Sequence, residues 1–321
     1  MSLTWEIGRK AGRPGTGNWD AELPPMTEIF AAAKEWAEPL RGVSRPWLCW
    51  GIDADWCLVQ QRLALEVGWT PVVGSDSGAA PALLPGAIAI DFNRRLGLPG
   101  MWMHFPLELV FLFCERLAFW HSDFLPDMDT MWELDRLFSA AEDGETLAVD
   151  LKLGLRQRLK YWSRLKASPR RFFELVGVTT RGASRDQFER GCGWWRNTHL
   201  HPHARPGTPK DVYYEHGAGI WTWAREHRGA ARAIEVPGLE RHHYSVLAKR
   251  DYKHMERKAD ELKIYDLDRI IANLGFIEPV TLEGLRAQAT IVVPTAAAAR
   301  VKPVHAQPVG SASEKRIVLA A

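Results

Sequence analysis

The chain lacks any apolar run long enough to cross a bilayer. Its most apolar stretch, Leu107 to Phe113, falls far short of the about 20 residues a spanning helix needs. Cysteine is scarce: Cys49, Cys57, Cys114 and Cys192 form no CxxC pair. That excludes a disulfide framework and leaves reduced, buried thiols as the expectation. Met1 to Asp20 has no apolar core of the kind a secretory signal carries, so a cytoplasmic protein is expected. A formal net charge of +2 gives no overall pull toward nucleic acid or anionic lipid, so either would need a local patch, and no nucleic acid partner is expected. No GxxxxGK[ST], GxSxG or HExxH occurs, nor a GxGxxG after a strand, which removes P-loop NTPases, serine α/β-hydrolases, zincins and ordinary dinucleotide enzymes as first choices. There is no internal repeat, and nothing in the pattern speaks to oligomeric state.

What is present is a chain of 321 residues, 46% hydrophobic, with 15 tryptophans, enough to bury a large core. Residues 1–25 read as an irregular arm, 26–290 as one main domain, and 291–321 as a flexible Ala/Pro-rich tail. Thr27 is a plausible N-cap for a helix through Ala37. Trp47 to Ile52 reads as a buried strand, Asp53 to Val67 as a helix stopped by Gly68, and Pro71 to Gly74 as a second strand. This opening predicts a βαβ unit and a parallel sheet. Ala87 to Ile90 is a third strand, Leu107 to Leu117 a deeply buried helix, and Ala118 to Trp120 a strand following at once. Asp129 is expected to cap a helix over Met131 to Ala141. Thr146 to Val149 and Phe172 to Thr179 read as strands, Thr180 to Gly219 as largely irregular, and Asp251 to Gly275 as helix.

The segment Phe119-Trp120-His121-Ser122-Asp123-Phe124-Leu125-Pro126 carries the most chemistry. Polar residues emerge abruptly at the carboxyl end of a buried strand, where open α/β sheets bind ligands. His121 and Asp123 point to the same side of an extended chain and could share a divalent cation, manganese or magnesium. The plainer alternative is that Asp123 caps a turn and His121 is a satisfied core histidine.

The order of apolar helix, apolar strand, short acidic motif, Leu-Pro, helix and Gly-Glu-Thr-Leu-Ala-Val resembles the middle of GT-A-type glycosyltransferases, over roughly residues 46 to 245. The resemblance implies a Rossmann-like central mixed sheet with helices on both faces. It also implies a nucleotide-binding half at about 46–150 and an acceptor half at about 151–290. In that family an Asp-x-Asp motif holds a metal against the diphosphate of a nucleotide sugar. Asp123 matches the second Asp, and His121 stands where the first would be. Gly51 and Asp53 would lie beside the nucleotide, with Ser122, and Arg94 or Arg95 would approach the phosphates. A C-terminal histidine often completes the metal shell, for which His242 and His243 are the candidates.

Other clusters could face an acceptor bearing a hydroxyl. Trp194, Trp195 and Arg196 sit on a glycine-hinged loop and could stack on and hydrogen-bond a sugar, although one tryptophan of the pair is as readily a core residue. Glu215, beside His216 and among aromatics and glycines, is a candidate general base. The basic stretch Arg156 to Arg171 could bind nucleic acid or anionic lipid through phosphates, and its plainer reading is one solvated helix face. Two rival functions use the same residues differently. A metal-dependent hydrolase would draw on His199, His201, His203, His216 and His242, and a non-catalytic glycan- or partner-binding protein would use the tryptophan-rich surface.

Overall fold

The computed structural model describes residues 26–74, 80–92, 107, 109–152, 170–190, 192–194, 218–244, 262–293, 299–300 and 317–319. The chain is an α/β protein. Helix α1 (Met26–Ala37) leads through a short 3-10 turn to strand β1 (Pro46–Trp50), whose five residues are all buried. Helix α2 (Ala54–Glu66) starts where the Asp53 carboxylate accepts the N–H groups of Asp55 and Trp56 at 3.0 and 3.2 Å, relieving amides that a helix start leaves unpaired. It ends at Gly68, whose φ of 76° suits glycine. Strands β2 (Thr70–Gly74), β3 (Ala82–Leu83), β4 (Ile88–Ala89) and β5 (Arg116–Trp120) follow.

Helix α3 (Met128–Ser139), β6 (Glu145–Lys152), β7 (Arg170–Thr180), α4 (Arg181–Glu189), α5 (Ala218–Glu226) and β8 (Ala230–Ala233) complete the middle of the chain. Then come α6 (Leu267–Asn273), α7 (Leu282–Gln288), β9 (Thr290–Val293), β10 (Ala299–Arg300) and β11 (Ile317–Leu319). The main sheet runs β10-β4-β2-β1-β5-β7-β6-β8. Strands β4, β2, β1 and β5 are mutually parallel, β7 is antiparallel to both β5 and β6, and β10 is antiparallel to β4. The sheet is therefore mixed. A smaller sheet pairs β11, β9 and β3, so part of the segment set apart as a tail contributes strands.

Alternation along the strands splits the interior into two layers. Trp47, Cys49, Ala118 and Trp120 face a core shared with α2, α3, α6 and α7, whereas Leu48, Trp50, Leu117 and Phe119 face one shared with α1, α4 and α5. Helices thus cover both faces, and most of the tryptophans among the described residues fill these layers. All four cysteines are buried and free, and burial pushes the Cys57 and Cys114 thiols up to about 12. No helix among the described residues is long and apolar enough to cross a membrane.

Some local expectations are corrected. Leu107 to Leu117 is not one helix. Bonds from Phe111 to Leu107 and from Cys114 to Val110 close about a turn, and β5 begins at Arg116. Leu107, Val110, Phe111 and Leu112 are all buried, so no amphipathic phase held a longer helix. Asp127, not Asp129, caps α3, its Oδ1 accepting the Thr130 N–H at 3.0 Å. Helix α4 lies inside the stretch expected to be irregular. Of Asp251 to Gly275, residues 251–261 lie outside the described residues; Leu262 is helical, a turn follows over 263–265, and α6 starts at Leu267, where Asp266 caps it.

Candidate metal centre

Chain order creates the crevice. From β1 the chain moves outward through β2 to β4, then returns to lay β5 on the other side of β1. The carboxyl ends of β1 and β5 therefore flank a topological switch point, the usual ligand position in open α/β sheets. His121 directly follows β5 and keeps one sheet contact, its N–H donating to Leu175 O at 2.8 Å. The next residues turn back, with the Phe124 N–H donating to His121 O at 3.1 Å.

Two devices hold this turn. The first is an antiparallel bridge between Phe124 and His243, in which the Leu125 N–H donates to His242 O (3.0 Å) and the Tyr244 N–H to Asp123 O (2.9 Å). It brings a segment more than a hundred residues away onto the motif. The second is Gln60, fully buried on α2, whose Nε2 donates to His121 O at 2.7 Å and Phe124 O at 3.0 Å. The motif is thus fixed from the sheet, from α2 and from the 239–244 segment.

The side chains converge. His121 Nδ1 lies 3.3 Å from His243 Nε2 and 3.7 Å from Asp123 Oδ1, and His243 Nε2 lies 3.3 Å from Asp123 Oδ2. Donor atoms of all three residues fall within 4.8 Å of one another. An ion about 2.1 Å from each donor would space neighbouring donors about 3.0 Å apart in octahedral and about 3.4 Å in tetrahedral coordination. The observed separations therefore fit a shared cation with little rearrangement. Asp123 is fully buried, and the imidazoles remain 16% and 21% exposed, so the cluster is open on the histidine side. Behind His121, Glu174 of β7, 1% exposed, sets its Oε1 3.3 Å from Nε2. Phe173 packs edge-on against His121, with ring centroids 5.1 Å apart.

The two adjacent histidines part ways. His243 joins the cluster, whereas His242 is buried against α3, its Nε2 3.3 Å from Thr130 Oγ1 and 3.7 Å from Asp127 Oδ2. Burial holds the His242 imidazole below its ordinary value, against the opposing pull of Asp127. Gly51 lies at the end of β1 with its N–H donating to Gly74 O at 2.6 Å. Asp53, expected beside a nucleotide, is engaged by the start of α2. Ser122 is buried within the motif. Trp194, considered as a sugar platform, fills the core instead. It is 1% exposed, its Nε1 donates to Thr179 Oγ1 at 3.1 Å, and its ring meets Phe119 edge-on at 4.7 Å. Arg94, Arg95, Trp195, Arg196, His199, His201, His203, Glu215 and His216 lie outside the described residues, as do residues 1–25 and most of the basic stretch.

Gln60 and Glu174 are further residues of the site, outside the motifs the sequence singles out. Each had a signal: Glu174 is the one carboxylate inside the apolar strand Phe172 to Val178, and Gln60 stands with Gln61 on an otherwise apolar helix face. An isolated polar residue in a buried element must be satisfied by something specific. Comparisons of the chain with protein-family models, with curated proteins and with solved structures find no match.

Proposed function

We propose that the protein is a metal-assisted glycosyltransferase that moves a sugar from a nucleotide-diphosphate donor to a hydroxyl-bearing acceptor. One observation carries the reading: His121, Asp123 and His243 meet at the carboxyl end of β5, beside the β1/β5 switch point. A cation held at such a crevice can neutralise the diphosphate of a donor, and a distant histidine reaching the motif is what the resemblance to GT-A enzymes implies. Mixed sheet and two-sided helical cover are compatible with that resemblance.

In this reading Asp123 and the two imidazoles hold a divalent cation. When bound, the ion supplies charge neutralisation to the departing diphosphate. The protein's own part is positional. Gln60 and the Phe124–His243 bridge keep the donor atoms in register, so little ordering remains to be done when substrate arrives. Burial of Asp123 keeps water from its carboxylate and strengthens its field toward a cation.

A thermal-shift screen of nucleoside diphosphates and nucleotide sugars, with and without Mn²⁺, tests the proposal. A true donor at about 100 times its dissociation constant should add about 2.7 kcal/mol to stability, and only with metal. The hit should then yield free nucleoside diphosphate on incubation with sugar acceptors. Binding of a glycan with no turnover of any donor would instead favour a non-catalytic role, and silence of every nucleotide would remove the proposal.

A further inference from the structure

A histidine as the metal ligand at position 121 poses a chemical problem. An imidazole offers one lone pair and can present it from either ring nitrogen, so a ligating histidine needs its tautomer fixed. Glu174 meets that need. Its Oε1 is 3.3 Å from His121 Nε2, on the ring edge opposite the Nδ1 that faces His243 and Asp123. A carboxylate there favours the proton on Nε2, leaving the Nδ1 lone pair directed into the cluster. Glu174 lies where the β6–β7 register shifts, between Phe173 and Gly177, an irregularity of the kind that re-aims side chains, and its neighbour Leu175 accepts the His121 N–H at 2.8 Å, which sets Glu174 beside His121. Asp123 and Glu174, at 0% and 1% exposure, also carry two carboxylates into the interior around neutral-capable imidazoles, a charge pattern a divalent cation balances.

We infer that Glu174 is the positioning residue of this centre, fixing His121 as an Nδ1 ligand, and that the resulting set of two imidazoles and one carboxylate takes a first-row transition ion in preference to Mg²⁺ or Ca²⁺. The inference rests on the metal-centre reading above and adds the class of ion and the residue that selects the ligand atom. Imidazole suits Fe²⁺, Co²⁺, Ni²⁺ and Zn²⁺, and a mixed set with a carboxylate is accepted by Mn²⁺, whereas Mg²⁺ and Ca²⁺ favour oxygen donors. Glu174 touches no substrate and acts only through His121.

The test uses the full chain, stripped with chelator, and needs no turnover. Calorimetric titrations with Mn²⁺, Co²⁺, Mg²⁺ and Ca²⁺ give the order of affinity, and the visible absorption of bound Co²⁺ reports the donor set. Wild type should bind Mn²⁺ and Co²⁺ at least tenfold more tightly than Mg²⁺ or Ca²⁺. Glu174→Ala should weaken Co²⁺ binding by about 10- to 100-fold, as loss of such partners commonly does, and shift the Co²⁺ spectrum. Glu174→Gln, whose carbonyl oxygen still accepts from Nε2, should recover part of the affinity and remain folded by circular dichroism. Mg²⁺ binding as tight as Co²⁺ would overturn the inference and leave a metal centre standing. So would unchanged Co²⁺ affinity and spectrum in both Glu174 variants alongside loss in His121→Ala. No binding of any ion by wild type would overturn the inference and the metal-centre reading together.

Discussion

Replacing Gln60 with leucine should loosen the site from behind without touching a proposed ligand. Gln60 Nε2 serves two carbonyls, those of His121 and Phe124, at 2.7 and 3.0 Å. His121 O keeps the Phe124 N–H as a second donor, so its loss is about one net hydrogen bond, roughly 1 kcal/mol. Phe124 O loses a buried donor at a cost of about 1–3 kcal/mol. Against this, Gln60 Oε1 is buried without a hydrogen-bond partner among the described residues, and removing it returns about 1 kcal/mol. The net expectation is a loss of about 1–3 kcal/mol, read as a lower urea midpoint with an unchanged m-value. Affinity for Mn²⁺ should fall as well, because the turn carrying His121 and Asp123 is no longer clasped to α2. A variant as stable as wild type with undiminished Mn²⁺ binding would refute the argument that α2 positions the motif.

Trp194→Ala should lose about 3–5 kcal/mol of stability while leaving Mn²⁺ affinity unchanged, since Trp194 packs in the layer opposite the cluster; denaturant titration and calorimetry separate the two effects. Asp127→Ala should remove the α3 cap and cost about 0.5–2 kcal/mol near neutrality. Burial alone would raise the Asp127 carboxyl, but the Thr130 hydroxyl and amide, with His242 and Arg241, hold it below the usual range. A depressed carboxyl contributes stability above its unfolded value of about 3.9 and loses it as pH falls through the folded value. The gap between wild type and Asp127→Ala should accordingly narrow below about pH 4, followed by urea unfolding across acid pH.

The parts of the fold legible in the sequence were those where burial and punctuation coincide. Pro46, Gly51, Gly68 and Gly74 bracket β1, α2 and β2, and Asp53 announces the helix start. Helix α4 was hidden because Ser184 and Gln187 of its buried face are polar, the Gln187 amide donating to Thr146 Oγ1 at 2.8 Å. Strand β8, Ala-Ala-Arg-Ala, has no apolar signature because it sits at the sheet edge and is largely exposed. In the site, His121 and Asp123 could be paired from their spacing alone. The choice of His243 over His242 could not, because it is made by the Phe124 bridge, a contact between segments far apart in sequence. Glu174 belongs to the site through β5–β7 pairing, which no local pattern encodes.

The most direct measurement is calorimetric titration of a nucleoside diphosphate, in the presence of Mn²⁺, into wild type and Asp123→Asn. Asparagine keeps the shape and the Tyr244 N–H to residue 123 carbonyl bond while removing the carboxylate, so the fold should be retained. The account predicts metal-dependent binding in wild type and at least a tenfold loss in the variant, with melting temperatures in the absence of ligand close to equal. Equal nucleotide affinity in the two proteins, at matched Mn²⁺, would contradict it.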